Sequence, residues 1–105
     1  NTGLPEKSFT HVGLGLALHI IPDPKAVLAD SKRILKSGGI FGATTFHKDN
    51  TFWLPDMKSA FDSFPFDAPF PEMKMQMHDQ GNWIDPAWVE ENLKKEGFQD
   101  VQVTV

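Results

Sequence analysis

The sequence predicts an α/β fold built around a parallel strand–helix–strand unit. Three observations predict it. "SFTHVGLGLAL" is an almost unbroken apolar run, "PDPKAVLADSKRILKSGG" is a helix with both ends marked, and "GIFGATTF" returns as a second strand. Two strands joined through a helix within about forty residues make a right-handed crossover between parallel neighbours.

The first run carries Phe9, Val12, Leu14, Leu16 and Leu18 without regular polar alternation. That pattern suits a strand at 9–16 covered on both faces, as in the middle of a parallel sheet. Gly13 and Gly15 weaken a strand, so they suggest close approach of backbone, helix or ligand. The helix is expected at 24–36. Asp23 stands at the N-cap and Pro24 at the first helical position, where a missing N–H costs nothing. Val27, Leu28, Ser31, Ile34 and Leu35 form one stripe. Lys32, Arg33 and Lys36 face the negative end of the dipole, and Gly38 or Gly39 supplies a left-handed stop. "SGG" precedes a strand and not a helix, so it is a helix stop and not a phosphate loop. The second strand is expected at 39–46.

Residues 47–83 form a Phe- and Pro-rich middle. Trp53, Met57, Ala60, Phe61 and Phe64 recur at helical spacing, and a second short helix is expected around Glu72–His78. The segment is too apolar for a solvated linker. It is expected to cover either the core or a ligand. The last unit repeats the earlier punctuation. Asp85 and Pro86 open a helix at 86–96, Gly97 closes it, and Glu90–Lys94 and Glu91–Lys95 mark its wet face. Val101, Val103 and Val105 alternate with polar residues, which predicts a strand at 100–105.

At 105 residues the chain is one domain at most. Its net charge of −4 and its lack of a basic block exclude nucleic acid as an expected partner. The absence of cysteine removes disulfides, thiolate metal sites and a cysteine nucleophile. The longest apolar run, Val12–Ile21, is too short to span a membrane, and "NTGLPEKSF" lacks the pattern of a signal peptide. A soluble, cytoplasmic protein is the expectation. Asn1 in place of a methionine, and "VQVTV" ending within a strand, lead to the further expectation that this is a piece of a longer chain.

Four stretches, in order and at matching spacing, resemble the C-terminal half of class I S-adenosylmethionine-dependent methyltransferases. "GLPEKSFTHV" is similar to that family's entry to its fourth strand, and "LALHIIPDP" to the turn that follows. "RILKSGGIF" is similar to its helix end and "LKKEGFQDVQV" to its terminal segment. The threonine, proline and tryptophan positions also look like the fungal small-molecule methyltransferases, the gliotoxin dithiol S-methyltransferase among them, with a departure at Leu18-His19.

The resemblance implies half of a Rossmann-like sheet with a helical insertion at 47–83, and a role in fungal secondary metabolism. It implies S-adenosylmethionine as cofactor, held mainly by an N-terminal half that would precede Asn1. That missing half, or a second chain, is then an expected partner, together with a small-molecule methyl acceptor. Gly15, Leu16, Ala17 and Leu18 correspond to backbone bordering the methionine end of the cofactor, although plain strand packing accounts for them equally. Phe46, His47, Phe52, Trp53 and Trp83 flank the insertion where the family builds its acceptor pocket, and each also fits the core of a helical cover.

His19 lies at the strand's carboxyl edge, where ligands of α/β proteins collect. It would orient the acceptor or act as a base, or else serve as a hydrogen-bonded structural residue. His11 and His78 have no partner at metal-ligand spacing, so no metal site is expected. Two functional classes follow: a small-molecule methyltransferase, or a methyltransferase-like interaction subunit without catalysis.

Overall fold

A computed structural model describes all residues, 1–105. The elements are β1 (Phe9–Leu14), α1 (Pro24–Ile34), β2 (Leu35–Ala43), α2 (Leu54–Asp62) and α3 (Pro86–Lys95). β1 and β2 pair in parallel, with Val12 opposite Phe41, Gly13 opposite Gly42 and Leu14 opposite Ala43. α1 is the crossover between them.

Both helix starts and the end of α3 follow the sequence signals. The end of α1 does not, because α1 stops at Ile34 with Leu35 extended, and Ser37–Gly39 lie inside β2 instead of forming a left-handed helix stop. The Asp23 side chain accepts from the Ala26 N–H at 3.0 Å, and Pro24 opens α1. The Asp85 carboxylate accepts from the N–H groups of Ala87 and Trp88 at 3.0 and 3.4 Å, with Pro86 first in α3. Gly97 adopts φ +90° just beyond α3. Its N–H donates to the Lys94 carbonyl and that of Phe98 to the Leu93 carbonyl, so two otherwise unpaired carbonyls are satisfied. Phe98 then packs on Phe41, with ring centroids 5.1 Å apart.

Leu18, Leu28, Trp83 and Val89 form the buried core, flanked by Leu14, Phe41, Leu93, Phe98 and Val103. Two helices, α1 through Leu28 and α3 through Val89, therefore meet two loop residues, Leu18 and Trp83. The first residues are tied to α1 by Asp30, which bonds the Thr2 N–H at 2.8 Å and the Arg33 guanidinium at 2.8 Å.

The structure departs from the expected elements in four places. β2 starts at Leu35 and not at residue 39, because the chain turns from α1 straight into extended backbone. Gly38, at φ +76°, lies in the irregular stretch between the Leu35 and Ile40 pairings. Close approach belongs to Gly39, where a Cβ would lie 2.9 Å from the Lys36 carbonyl oxygen; nothing crowds Gly13 or Gly15. Second, β1 ends at Leu14 and its residues are exposed or half-buried, because β2 is its one sheet neighbour and no layer covers its outer face. Third, Val101–Val105 form no strand. Val101 and Val103 are half-buried and Gln102 is exposed, so the expected alternation is present without a ladder partner. Fourth, residues 72–78 form no helix.

No residue from His47 to Asn82 is buried, and α2 buries none of its own. Residues 47–75 add nothing to this chain's core, whereas 76–82 fold back over the loop that carries Leu18 and His19. The molecule measures 59 × 27 × 21 Å with a radius of gyration of 17.7 Å, against about 13 Å for a compact chain of this length.

Candidate functional site

The site lies at the carboxyl edge of the two parallel strands, where the loops after β1 and β2 emerge together. β1 ends in a sharp reversal. Leu16 adopts φ +46°, an unusual conformation for a residue with a Cβ, and remains 49 % exposed. The Leu16 N–H donates to the Thr44 hydroxyl at 3.0 Å, and the Thr44 N–H to the Leu14 carbonyl, so the two loops are stitched together. Gly15 and Leu16 are exposed and Ala17 half-buried, whereas Leu18 is a core residue.

His19 follows, 1 % exposed. Its Nδ1 lies 3.1 Å from the Thr45 hydroxyl oxygen, and that hydroxyl donates to the Trp83 carbonyl at 3.0 Å. Phe46 lies against the imidazole, ring centroids 4.4 Å apart. Burial, and secondarily the charge of His78, hold the His19 pKa below its ordinary 6.5. Its Nε2 is buried without a hydrogen-bond partner. An orphaned buried polar atom costs about 1–3 kcal/mol, and such atoms concentrate where chemistry needs them.

The segment from 76 to 83 is fastened over this loop. His78 Nε2 donates to the Leu18 carbonyl at 2.7 Å while its Nδ1 accepts from the Gln80 N–H at 3.1 Å. The Met77 N–H donates to the His19 carbonyl at 2.8 Å. The Gln76 amide donates to the His78 and Gly81 carbonyls and accepts from the Trp83 N–H. Trp83 is thereby set into the core, its Nε1–H on the Gln80 carbonyl and its ring edge-on to Trp88 at 5.0 Å.

Two cavities border these loops. The first, about 300 Å³, is lined by Thr45, Phe46, His47, Trp83, Val89 and Val103, among others. The second, about 400 Å³, is lined by Trp53, Leu54, Lys58, Phe70, Met73 and Met75, among others. Phe46, His47 and Trp83 are thus brought together at the first, and Trp53 stands at the second. Phe52 lines neither and is 81 % exposed. The structure adds Thr45, Gln76 and His78, which the sequence reading did not single out as site residues. No spacing signal marks Thr45 and His78, whose partners His19 and Leu18 lie 26 and 60 positions away, whereas Gln76 bonds residues within seven positions in an irregular loop.

This edge is similar to part of a known family. Residues 1–43 match the methyltransferase domain. The matched stretch runs through β1, the Leu16 reversal, His19, α1 and β2, and that domain implies a class I Rossmann-like fold. Methyltransferase ktnA of Aspergillus niger is 31 % identical over 123 residues, covering 99 % of this chain and 40 % of its own. Methyltransferase tpcH of Aspergillus fumigatus is 32 % identical over 106 residues, covering 99 % of this chain and 36 % of its own. An uncharacterized chloroplastic methyltransferase of Arabidopsis thaliana, At1g78140, is 43 % identical over 49 residues, covering 46 % of this chain and 14 % of its own. The chain therefore spans about two fifths of the length of the two fungal methyltransferases. No helix is long and apolar enough to cross a membrane.

Proposed function

We propose that this chain forms the acceptor side of an S-adenosylmethionine-dependent methyltransferase acting on a small molecule of fungal secondary metabolism. The observation that carries the reading is the methyltransferase-domain match over residues 1–43, together with two fungal methyltransferases that align along 99 % of the chain. A cytoplasmic location goes with this reading.

S-adenosylmethionine, when bound, supplies an electrophilic methyl group on sulfur. The end of β1 fits such a ligand: a Cβ at Gly13 or Gly15 would meet no atom within 4 Å, so the backbone there is open to close approach. Gly15, Leu16 and Ala17 would border it. Leu18 would contribute little directly, since its side chain is in the core and its carbonyl is taken by His78. Within residues 1–105 no glycine-rich turn leads from a strand into a helix. The larger part of the cofactor cradle is accordingly assigned to a further segment or a second chain. The exposed side of β1, with Phe9 uncovered, and the uncovered Leu16 in the turn after it are where that partner would dock.

The acceptor would occupy the cavities after β2. Phe46, His47 and Trp83 wall one and Trp53 the other, and aromatic walls set among polar groups such as Asn50 and Lys58 suit a flat aromatic metabolite that carries polar substituents. These residues position the acceptor and exclude water, which is most of what an in-line displacement asks of a protein.

Isothermal titration of the full-length protein with S-adenosylmethionine tests the reading. Saturable binding that is weakened by Gly15→Val is expected. No binding heat and no protection from thermal unfolding by the cofactor would overturn it.

A further inference from the structure

His19 Nε2 is a buried side-chain polar atom without a hydrogen-bond partner, and its neighbours fix its chemistry. The Thr45 hydroxyl has a single proton, which it donates to the Trp83 carbonyl. Its contact with His19 Nδ1 at 3.1 Å therefore requires the ring proton to sit on Nδ1. Nε2 is left as a bare lone pair, able only to accept. Burial keeps the ring neutral, so the lone pair persists at neutral pH. What is absent from this pocket is a donor.

Thr45 and Phe46 both touch the imidazole, and both line the cavity of about 300 Å³. Phe46 is 37 % exposed. His19 itself does not line that cavity, so access to Nε2 requires the Phe46 ring to swing aside and open it to the cavity.

We propose that His19 Nε2 receives the hydroxyl of the methyl acceptor, so that the substrate is a hydroxyl compound and the transfer an O-methylation. This rests on the methyltransferase reading above. The acceptor's O–H bond breaks and its proton passes to Nε2, giving an imidazolium. The acceptor oxygen forms its new bond to the methyl carbon of the sulfonium donor, whose C–S electron pair stays on sulfur. Thr45 is a positioning residue: it holds the tautomer that makes Nε2 the acceptor, in the way a second group orients a catalytic histidine. A base placed in this way contributes a factor of about 10²–10⁴.

The test uses the full-length protein with ¹⁵N-labelled histidine, and 2-naphthol and 2-methoxynaphthalene as probes. 2-Naphthol should move the unprotonated His19 nitrogen resonance toward its protonated position, and the methyl ether, which has no donor, should not. Thr45→Ser should keep the single-tautomer spectrum and Thr45→Val should lose it. With S-adenosylmethionine present, His19→Gln should slow methylation of 2-naphthol about 100-fold or more. Methylation of 4-nitrothiophenol, which is ionised at neutral pH and has no proton to give up, should change little. An Nε2 resonance unmoved by saturating 2-naphthol, or equal losses for both acceptors, overturns the proposal. Failure to bind S-adenosylmethionine would strike the methyltransferase reading instead, and the naphthol titration, which needs no methyl donor, would still decide His19.

Discussion

Replacing Leu28 by alanine should cost about 4 kcal/mol of unfolding free energy, and the structure supplies the reasoning. Leu28 is 0 % exposed and sits where α1 meets Leu18, Trp83 and Val89. The change removes three buried carbons, worth roughly 0.8 kcal/mol each in transfer from water. The space left behind adds about 24 cal/mol per Å³ that fails to collapse, or roughly 1–2 kcal/mol for a void of leucine size. Neighbouring residues have little freedom to close it, because Trp83 is pinned by Nε1–H on Gln80 and by its carbonyl on Thr45. A domain of this length has about 5–15 kcal/mol in total, and with nine buried residues the protein belongs at the low end. Urea unfolding followed by tryptophan fluorescence is the assay. With a slope near 1–3 kcal/mol per molar, the midpoint should fall by roughly 2 M. Ile40→Ala, at a β2 position 60 % exposed, is the control and should cost less than about 1 kcal/mol. A Leu28 variant no less stable than the Ile40 variant would refute the placement of the core.

Three further outcomes are expected. Because the folded pKa of His19 is depressed, the unfolded chain takes up the proton first as pH falls below 6.5. Its contribution to stability is therefore complete above about 6.5 and is lost as pH falls toward the folded value. Urea midpoints measured from pH 7 to 5 should decline in the wild type and less steeply in His19→Gln, whereas parallel slopes would assign the decline to groups other than His19. Gly81→Ala should be strongly destabilising, since its Cβ would lie 2.2 Å from the Trp88 ring at a backbone φ of +92°. A midpoint unchanged from wild type would mean that the 76–83 loop is not seated as described. On the methyltransferase reading proposed above, Trp53→Ala in the full-length protein should raise the acceptor KM and leave cofactor affinity unchanged, and calorimetry showing the opposite would place Trp53 on the cofactor side.

Both α1 and α3 were legible because their starts are written in local chemistry. Asp23-Pro24 and Asp85-Pro86 start them, and Gly97 ends the second with the left-handed turn its position demands. The parallel strands were legible from apolar runs on either side of a helix. Strand status at 100–105 was not, because alternation of Val101 and Val103 reports which side faces the core, while a ladder needs a partner elsewhere. The same divide runs through the site. His19, Phe46 and His47 could be placed at the carboxyl edge because they directly follow strands. Thr45 acts on a residue 26 positions earlier, and His78 on one 60 positions earlier. Such roles arise from the closing of the fold and leave no local trace.

The 47–75 segment, with α2 inside it, contributes no residue to the buried core. Its side chains can therefore change with little thermodynamic penalty, in contrast to Leu18, Leu28 or Trp83. Mutation is filtered there by what the loop touches and hardly at all by whether the protein folds. Trp53, Phe70 and Met73 line a cavity from this segment, so if that cavity holds the acceptor as proposed, substrate range can drift there through neutral steps while the strand edge stays constant. An exchange of this segment between related proteins should transplant selectivity as a module.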